Sequence, residues 1–181
     1  MTGKATTAIE QRERLRRLAI NAVLIALALA LSILERWIPL DLLVPIPGIK
    51  LGLANVVTLY ALMRLRPLNA WIILVARSLF MGAVSGLTTF LFSLAGGVLA
   101  LLTMWLLFRL EGRVVSLIGI SIAGAALHNI GQVTVASLLL SEPLLFSTYL
   151  PLLLLTGLLT GLLTGVAAWP VIRNLPVRPA L

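Results

Sequence analysis

Long apolar segments alternate with short polar breaks along almost the whole chain. A helix rises about 1.5 Å per residue, so about 20 apolar residues cross the roughly 30 Å hydrocarbon core of a membrane. The apolar run 70–108 would form a helix of about 58 Å, too long for one crossing, so we divide it around Ser85 to Thr88. The pattern then predicts six spans and a short interfacial piece at 144–150. The spans are 18–34, 49–63, 70–84, 89–108, 114–140 and 151–172.

Composition supports an all-α integral membrane bundle of six transmembrane helices. The chain is 60% hydrophobic and 11% charged, and its mean hydropathy of +1.10 is outside the range of soluble globular proteins. We therefore predict one transmembrane domain at 18–172, between a basic segment at 1–17 and a tail at 173–181. Cysteine is absent and His128 is the one histidine, so neither a metal site nor a cofactor is expected.

The positive charges indicate how the bundle is oriented. With a cytoplasmic N-terminus, eleven of the fourteen lysines and arginines fall on the cytoplasmic side, against Arg36 and Lys50 outside and Arg77 within a span. Positive residues accumulate on the cytoplasmic side of membrane proteins. We therefore expect a multi-pass protein of the cell membrane with both termini cytoplasmic. The net charge of +8 then reflects topology and attraction to anionic lipid rather than nucleic-acid binding.

A stiff loop leads into the second predicted span. Pro45, Pro47 and Gly48 precede a helix that carries Lys50 at its mouth and Asn55 inside. A small molecule entering the protein would touch this region first. Lys50 either attracts an anionic ligand or is a solvated interface lysine, and Asn55 either lines a pocket or bonds to a neighbouring helix.

Further polar side chains are predicted inside the membrane. A charge at mid-span costs at least about 2.5 kcal/mol, so Arg77 should face the bundle interior, where it contacts a ligand or forms a structural pair, unless it snorkels to the interface. Ser121, Ala125, His128 and Gln132 share one helical stripe beside Asn129. His128, Asn129 and Gln132 either line a pocket or hold helices together.

Two stripes of small residues predict close helix contacts. Ala22, Ala26 and Ala30 recur every fourth residue in the first span, and Gly157, Gly161 and Gly165 do so in the sixth. Such stripes allow helices to approach closely in lipid. The alanines suit either a partner protein or packing within the bundle, whereas packing within the bundle is favoured for the glycines.

No catalytic residues are expected. The chain has six acidic residues without a paired-aspartate motif for metal-bound diphosphate, and its Gly48-Ile49-Lys50 lacks the preceding glycine spacing of a nucleotide-binding loop. The protein is therefore predicted not to be an enzyme, and any ATP hydrolysis would come from partners.

The alanine stripe, the run PGIKLGLAN at 47–55 and the six spans together resemble the substrate-binding (S) components of energy-coupling factor transporters. More narrowly, PGIKLGLANV and the later HNIGQ at 128–132 are similar to a membrane family known as Gx transporters or as heptaprenyl diphosphate synthase component I.

The resemblance implies a six-helix protein that binds a vitamin or similar micronutrient from outside. Loop 35–48 would be its lid, spans four to six would supply much of the pocket, and Asn55, His128, Asn129 and Gln132 would be pocket candidates by position. Its partners would be a coupling transmembrane protein, docked on Ala22, Ala26 and Ala30, and two cytoplasmic ATPases.

Two other functions are also compatible with the sequence. One is a non-transporting membrane subunit in isoprenoid, quinone or flavin-linked electron-transfer metabolism. The other is a structural membrane protein that oligomerises through its small-residue faces.

Overall fold

The computed structural model describes residues 2–37, 53–111 and 114–174, and nearly all of them are helical. An all-α membrane bundle is thereby confirmed. The helices are α1 (Thr2–Trp37), α2 (Leu53–Arg64), α3 (Pro67–Ser85), α4 (Leu87–Phe108), α5 (Leu117–Leu140), α6 (Leu144–Thr148) and α7 (Leu150–Asn174).

Five of these helices, α1, α3, α4, α5 and α7, are long and apolar enough to cross a membrane. The second predicted span, 49–63, is represented by a shorter helix, α2. The first residues of that span, 49–52, lie outside the described residues, and α2 itself has 12 residues. That is about 18 Å of helix, short of a complete crossing.

Local chemistry explains the other helix boundaries. The predicted division of the run 70–108 is confirmed, because Gly86 separates α3 from α4 with a φ of 92°, which a side chain would disfavour. The Ser116 side chain accepts a hydrogen bond from the backbone N–H of Gly119 and caps α5. The short α6 corresponds to the interfacial piece predicted before the last span.

The basic N-terminal segment is not separate from the first span. Helix α1 begins at Thr2 and continues through it, since glutamate, glutamine, arginine, leucine and alanine all favour helix. Glu13 and Arg17, one turn apart, form an exposed ion pair of 3.6 Å, worth a few tenths of a kcal/mol.

Helices α4, α5 and α7 form the most closely packed part of the bundle, with α5 between the other two. A Cβ atom on Gly131 of α5 would lie 2.8 Å from the Ala95 carbonyl oxygen and from the Gly96 Cα of α4. A Cβ on Gly161 of α7 would lie 2.7 Å from the Ile122 Cα of α5. Backbone therefore touches backbone on both sides of α5, as glycine permits in lipid.

Helix α1 lies at the edge of the bundle and packs on α2 and α3. Ala28 is its fully buried residue, and Leu24, Ile25 and Leu31 pack against the same core. That core continues through α2 and α3 to α4, α5 and α7.

One end of the bundle carries Arg64, Arg66, Arg109 and Arg173, and we call it the arginine end. Arg109 lies 4.4 Å from the ring centre of Trp105, and Arg173 lies 5.8 Å from that of Trp169. Tryptophan beside arginine is typical of the membrane interface. The Arg64 guanidinium also donates a hydrogen bond to the Ile172 carbonyl near the end of α7.

Glu111, in the loop after α4, interacts electrostatically with Arg64. Partial burial raises the pKa of the Glu111 carboxyl, and the positive charge of Arg64 lowers it by a smaller amount. The α2, α4 and α7 ends therefore converge around Arg64.

Candidate functional site

Arg77 and Asn55 meet inside the bundle. Arg77 lies near the middle of α3 and its side chain is 8% exposed. Its Nη1 donates a hydrogen bond of 3.2 Å to Oδ1 of Asn55 on α2. Because a guanidinium can only donate, the amide oxygen must face Arg77, which leaves the Asn55 amide N–H groups as donors for another partner. Two residues predicted separately from sequence thus form one polar contact.

A small cavity adjoins Asn55 between α2, α4, α5 and α7. Hydroxyl and amide groups line one part of it: Asn55, Ser121, Thr160 and Thr164. Leu59, Ala100 and Met104 supply apolar surface, and Gly124, Ala125 and Gly161 complete the lining. Its volume of about 20 Å³ holds one or two water molecules. In this state the cavity is too small for a vitamin.

The cavity extends from near the middle of the bundle toward the arginine end. Met104 precedes the last residue of α4, Phe108, by four positions, and Ser121 follows the first residue of α5, Leu117, by four. Four residues correspond to about 6 Å along a helix. Asn55 is nine residues, or about 14 Å, from Arg64 at the end of α2.

His128, Asn129 and Gln132 lie farther along α5 and do not line this cavity. The His128 ring and carbonyl lie against Gly96 of α4, where a Cβ atom would be 2.8 Å from the carbonyl oxygen. Asn129 instead faces α7 and donates a hydrogen bond to the Leu153 carbonyl. Gln132 is half-buried. The predicted polar cluster therefore contacts two different helices.

The contact of Asn129 with α7 gives a modest expected effect on stability. Asn129→Ala should lower the free energy of unfolding by about 0.6–1.7 kcal/mol, the range for hydrogen bonds between helices in membranes. Titration of the detergent-solubilised protein with sodium dodecyl sulfate, followed by tryptophan fluorescence, measures this change. Thr134→Ala is the matched control, because the Thr134 hydroxyl bonds within α5, to the Ile130 carbonyl. Equal losses in both variants would contradict a bond between helices.

Sequence reasoning did not select three of the polar residues that line the cavity, Ser121, Thr160 and Thr164. A signal was present, since Thr160 and Thr164 directly precede Gly161 and Gly165 in the glycine stripe of α7. A hydroxyl beside a close helix contact is held near the neighbouring helix. Ser121 belongs to the stripe that also contains His128.

Part of the predicted site lies outside the described residues. Lys50 is in this category, as is the predicted lid from residue 38 to residue 48.

The two small-residue stripes have opposite environments. Ala22, Ala26 and Ala30 are all exposed on α1. Two residues turn a helix by about 200°, so Ala26 and the buried Ala28 point in nearly opposite directions. Gly157, Gly161 and Gly165 are buried against α5. The glycine stripe therefore packs within the bundle, whereas the alanine stripe does not.

The described residues contain no group of three histidine, cysteine or acidic side chains that could hold a metal ion.

Comparison with known proteins gives a family but no close characterised relative. No curated protein and no solved structure matches the chain. Residues 24–170, about four fifths of the chain, match the family described as heptaprenyl diphosphate synthase component I. That match includes α2 to α6, the C-terminal part of α1 and most of α7. The chain therefore belongs to the heptaprenyl diphosphate synthase component I family.

Proposed function

We propose that this protein is the substrate-binding membrane component of an energy-coupling-factor-type importer of a vitamin or another small micronutrient. The observation that carries the proposal is the exposed alanine stripe of α1. Ala22, Ala26 and Ala30 form a flat surface on a helix at the edge of the bundle, on the side away from α2 and α3. Small residues let another helix approach closely in lipid, so this surface suits a membrane-embedded partner.

The partners follow from what the chain lacks. It has no nucleotide-binding loop, so ATP-driven uptake would need a partner that hydrolyses ATP. In this proposal the alanine stripe docks on a coupling transmembrane protein, and two cytoplasmic ATPases drive that protein. The chain itself is not an enzyme.

The expected location is the cell membrane, with the arginine end and both termini cytoplasmic. Arg64, Arg66, Arg109 and Arg173 lie at this end, as the positive-inside rule requires. The ligand would then enter from the opposite side, where the predicted lid begins after α1. Lys50, Asn55, Arg77, His128, Asn129 and Gln132 remain the candidates for contacts along its path.

Enlarging the alanine stripe tests the proposal. The triple variant Ala22→Leu, Ala26→Leu, Ala30→Leu should lose co-purification with the coupling protein, because isobutyl groups would hold the two helices apart. We expect at least about a tenfold loss of complex, a binding difference of about 1.4 kcal/mol. Mass spectrometry of the partners retained by the detergent-purified protein measures it.

The matched control is Ala167→Leu, which enlarges an exposed alanine on α7. It should leave both folding and complex formation unchanged. If the triple variant folds and retains its partner at the parent level, the alanine stripe does not dock the coupling protein.

The family description favours a second function, a non-transporting membrane subunit that accompanies a prenyl diphosphate synthase. The acidic side chains that the structure describes, Glu10, Glu13, Glu111 and Glu142, do not form a metal-binding group, so prenyl transfer would be performed by the partner. Mass spectrometry of small molecules released from the purified protein separates the two functions. A stoichiometric vitamin-like compound supports the importer, whereas a prenyl or quinone lipid with a co-purifying synthase supports the subunit.

A further inference from the structure

The cavity beside Asn55 has two properties that define what it can hold. Its polar groups come from three helices, α2, α5 and α7, and so converge on one space. No ionisable side chain among the described residues lines it. An ionised ligand placed there would lose its hydration without forming a direct ion pair, which is costly in a protein interior. A neutral polar molecule could replace its bonds to water with bonds to the lining groups.

The direction of the hydrogen bond at Asn55 further limits the chemical class of the ligand. Arg77 holds the Asn55 amide oxygen, so the Asn55 amide offers donors to the cavity side. The positive charge of Arg77 pulls electron density from this amide and strengthens it as a donor. A carbonyl oxygen or a ring nitrogen would accept such a bond. The Thr160 hydroxyl donates to the Gly157 carbonyl at 3.4 Å, and its oxygen can still accept.

Met104 is one of the side chains that limit the space in the cavity. The side chain of Met104 lies directly on Gly124, because a Cβ atom on that glycine would be 2.7 Å from the Met104 Cγ and 2.9 Å from its sulfur. Methionine is unbranched and has three rotatable bonds, so it changes shape at small cost. Rotation of Met104 away from Gly124 would enlarge the cavity without moving a helix.

We propose that this cavity is a binding site for a small uncharged molecule with carbonyl or ring-nitrogen acceptors, and that rotation of the Met104 side chain makes room for it. The inference rests on the proposed ligand-binding role. It adds a site that extends from near the middle of the bundle toward the arginine end, and His128 and Asn129 do not line it.

Thiol labelling tests the site, since the natural chain has no cysteine. Ser121→Cys and Thr164→Cys place a thiol in the cavity, and Ser78→Cys is the buried control, because Ser78 is 0% exposed and does not line the cavity. The probe is iodoacetamide, a small neutral amide, applied to the full-length protein in detergent and measured by intact mass. The two cavity thiols should react at least about tenfold faster than the control, a difference in opening free energy of about 1.4 kcal/mol.

Two comparisons test the ligand class and the role of Met104. The ratio of iodoacetamide to iodoacetate rates should be higher for Ser121→Cys than for Ser147→Cys, whose thiol would be exposed on α6. Adding Met104→Ala to Ser121→Cys should raise the iodoacetamide rate, whereas Met104→Leu, of similar volume, should not. Equal ratios would overturn the proposal that the ligand is uncharged. Equal rates in the two Met104 variants would overturn the proposal that Met104 rotates to make room for it.

Labelling of both cavity thiols no faster than Ser78→Cys would overturn the site itself. This result is independent of the coupling experiment on α1. Slow labelling in a protein that still binds its coupling protein refutes the cavity site alone. Fast labelling in a protein that binds no coupling protein refutes the importer alone.

Discussion

Replacing Gly161 with leucine should prevent the bundle from folding. A Cβ atom at this position would lie 2.7 Å from the Ile122 Cα and 3.1 Å from both the Ser121 carbonyl oxygen and the Ala125 Cβ. Backbone atoms of α5 cannot rotate away as a side chain can, so α7 would have to separate from α5. Overpacking of a core costs about 1–3 kcal/mol and occasionally more, and we expect a loss at or above the upper value.

The measurement is the fraction of detergent-purified protein that elutes as a single symmetrical species, together with its free energy of unfolding. Ala167→Leu is again the matched control, because it adds the same side chain to an exposed position of the same helix. The hypothesis of oligomerisation through the glycine stripe makes a different prediction, a folded monomer in place of an oligomer. A stable, monodisperse Gly161→Leu monomer would therefore contradict the packing described here.

Spacing predicted both small-residue stripes. The packing within the bundle that was favoured for the glycines is confirmed, whereas the sequence left the partner of the alanines open. Ala26 and Gly161 each belong to a run that repeats every fourth residue, and this repeat places the residues on one helix face whatever that face meets. The assignment depends on the rest of each helix. In α1 the bulkier Leu24, Ile25 and Leu31 flank the buried Ala28, which turns the alanine stripe outward.

Helix boundaries followed from sequence where a residue has a strong local preference. Gly86 ends α3 because its φ of 92° suits glycine. The same helix begins at Pro67, three residues before the predicted span, because proline needs no intrahelical N–H bond there. The sequence limited the length of α2 without fixing it, since Arg64 and Arg66 end the apolar run of the short predicted span 49–63. An apolar run sets an upper limit on a span but does not show how much of the membrane it crosses.

The polar contacts required tertiary structure. Arg77 and Asn55 are 22 residues apart on neighbouring helices, and no local pattern links them. His128 and Asn129 are adjacent in sequence, yet consecutive residues of a helix point about 100° apart. One therefore faces α4 and the other faces α7. Sequence showed that these side chains must be satisfied inside the membrane, but not by which helix.

Asn55→Leu should destabilise the protein more than Arg77→Met does, although both remove the same hydrogen bond. Asn55→Leu takes the amide oxygen away from a guanidinium that stays buried, and the loss of an acceptor costs more for a buried charged donor than for a neutral group. Arg77→Met leaves a neutral amide oxygen that has lost its donor, at a cost of about 1–3 kcal/mol. The free energies of unfolding in sodium dodecyl sulfate, read from tryptophan fluorescence, give both values.

The double variant Arg77→Met, Asn55→Leu decides whether the two residues act as a pair. It contains neither a buried charge nor an amide that has lost its donor, so it should be more stable than Asn55→Leu alone. The interaction energy from the double-mutant cycle should be about 0.5–3 kcal/mol, as for residues in direct contact. A cycle of Arg77→Met with Asn129→Ala is the control and should be additive, because Asn129 bonds to α7. Additive losses for Arg77 and Asn55 would show that their contact contributes nothing to the bundle, and would leave the Asn55 amide without the orientation on which the neutral ligand class depends.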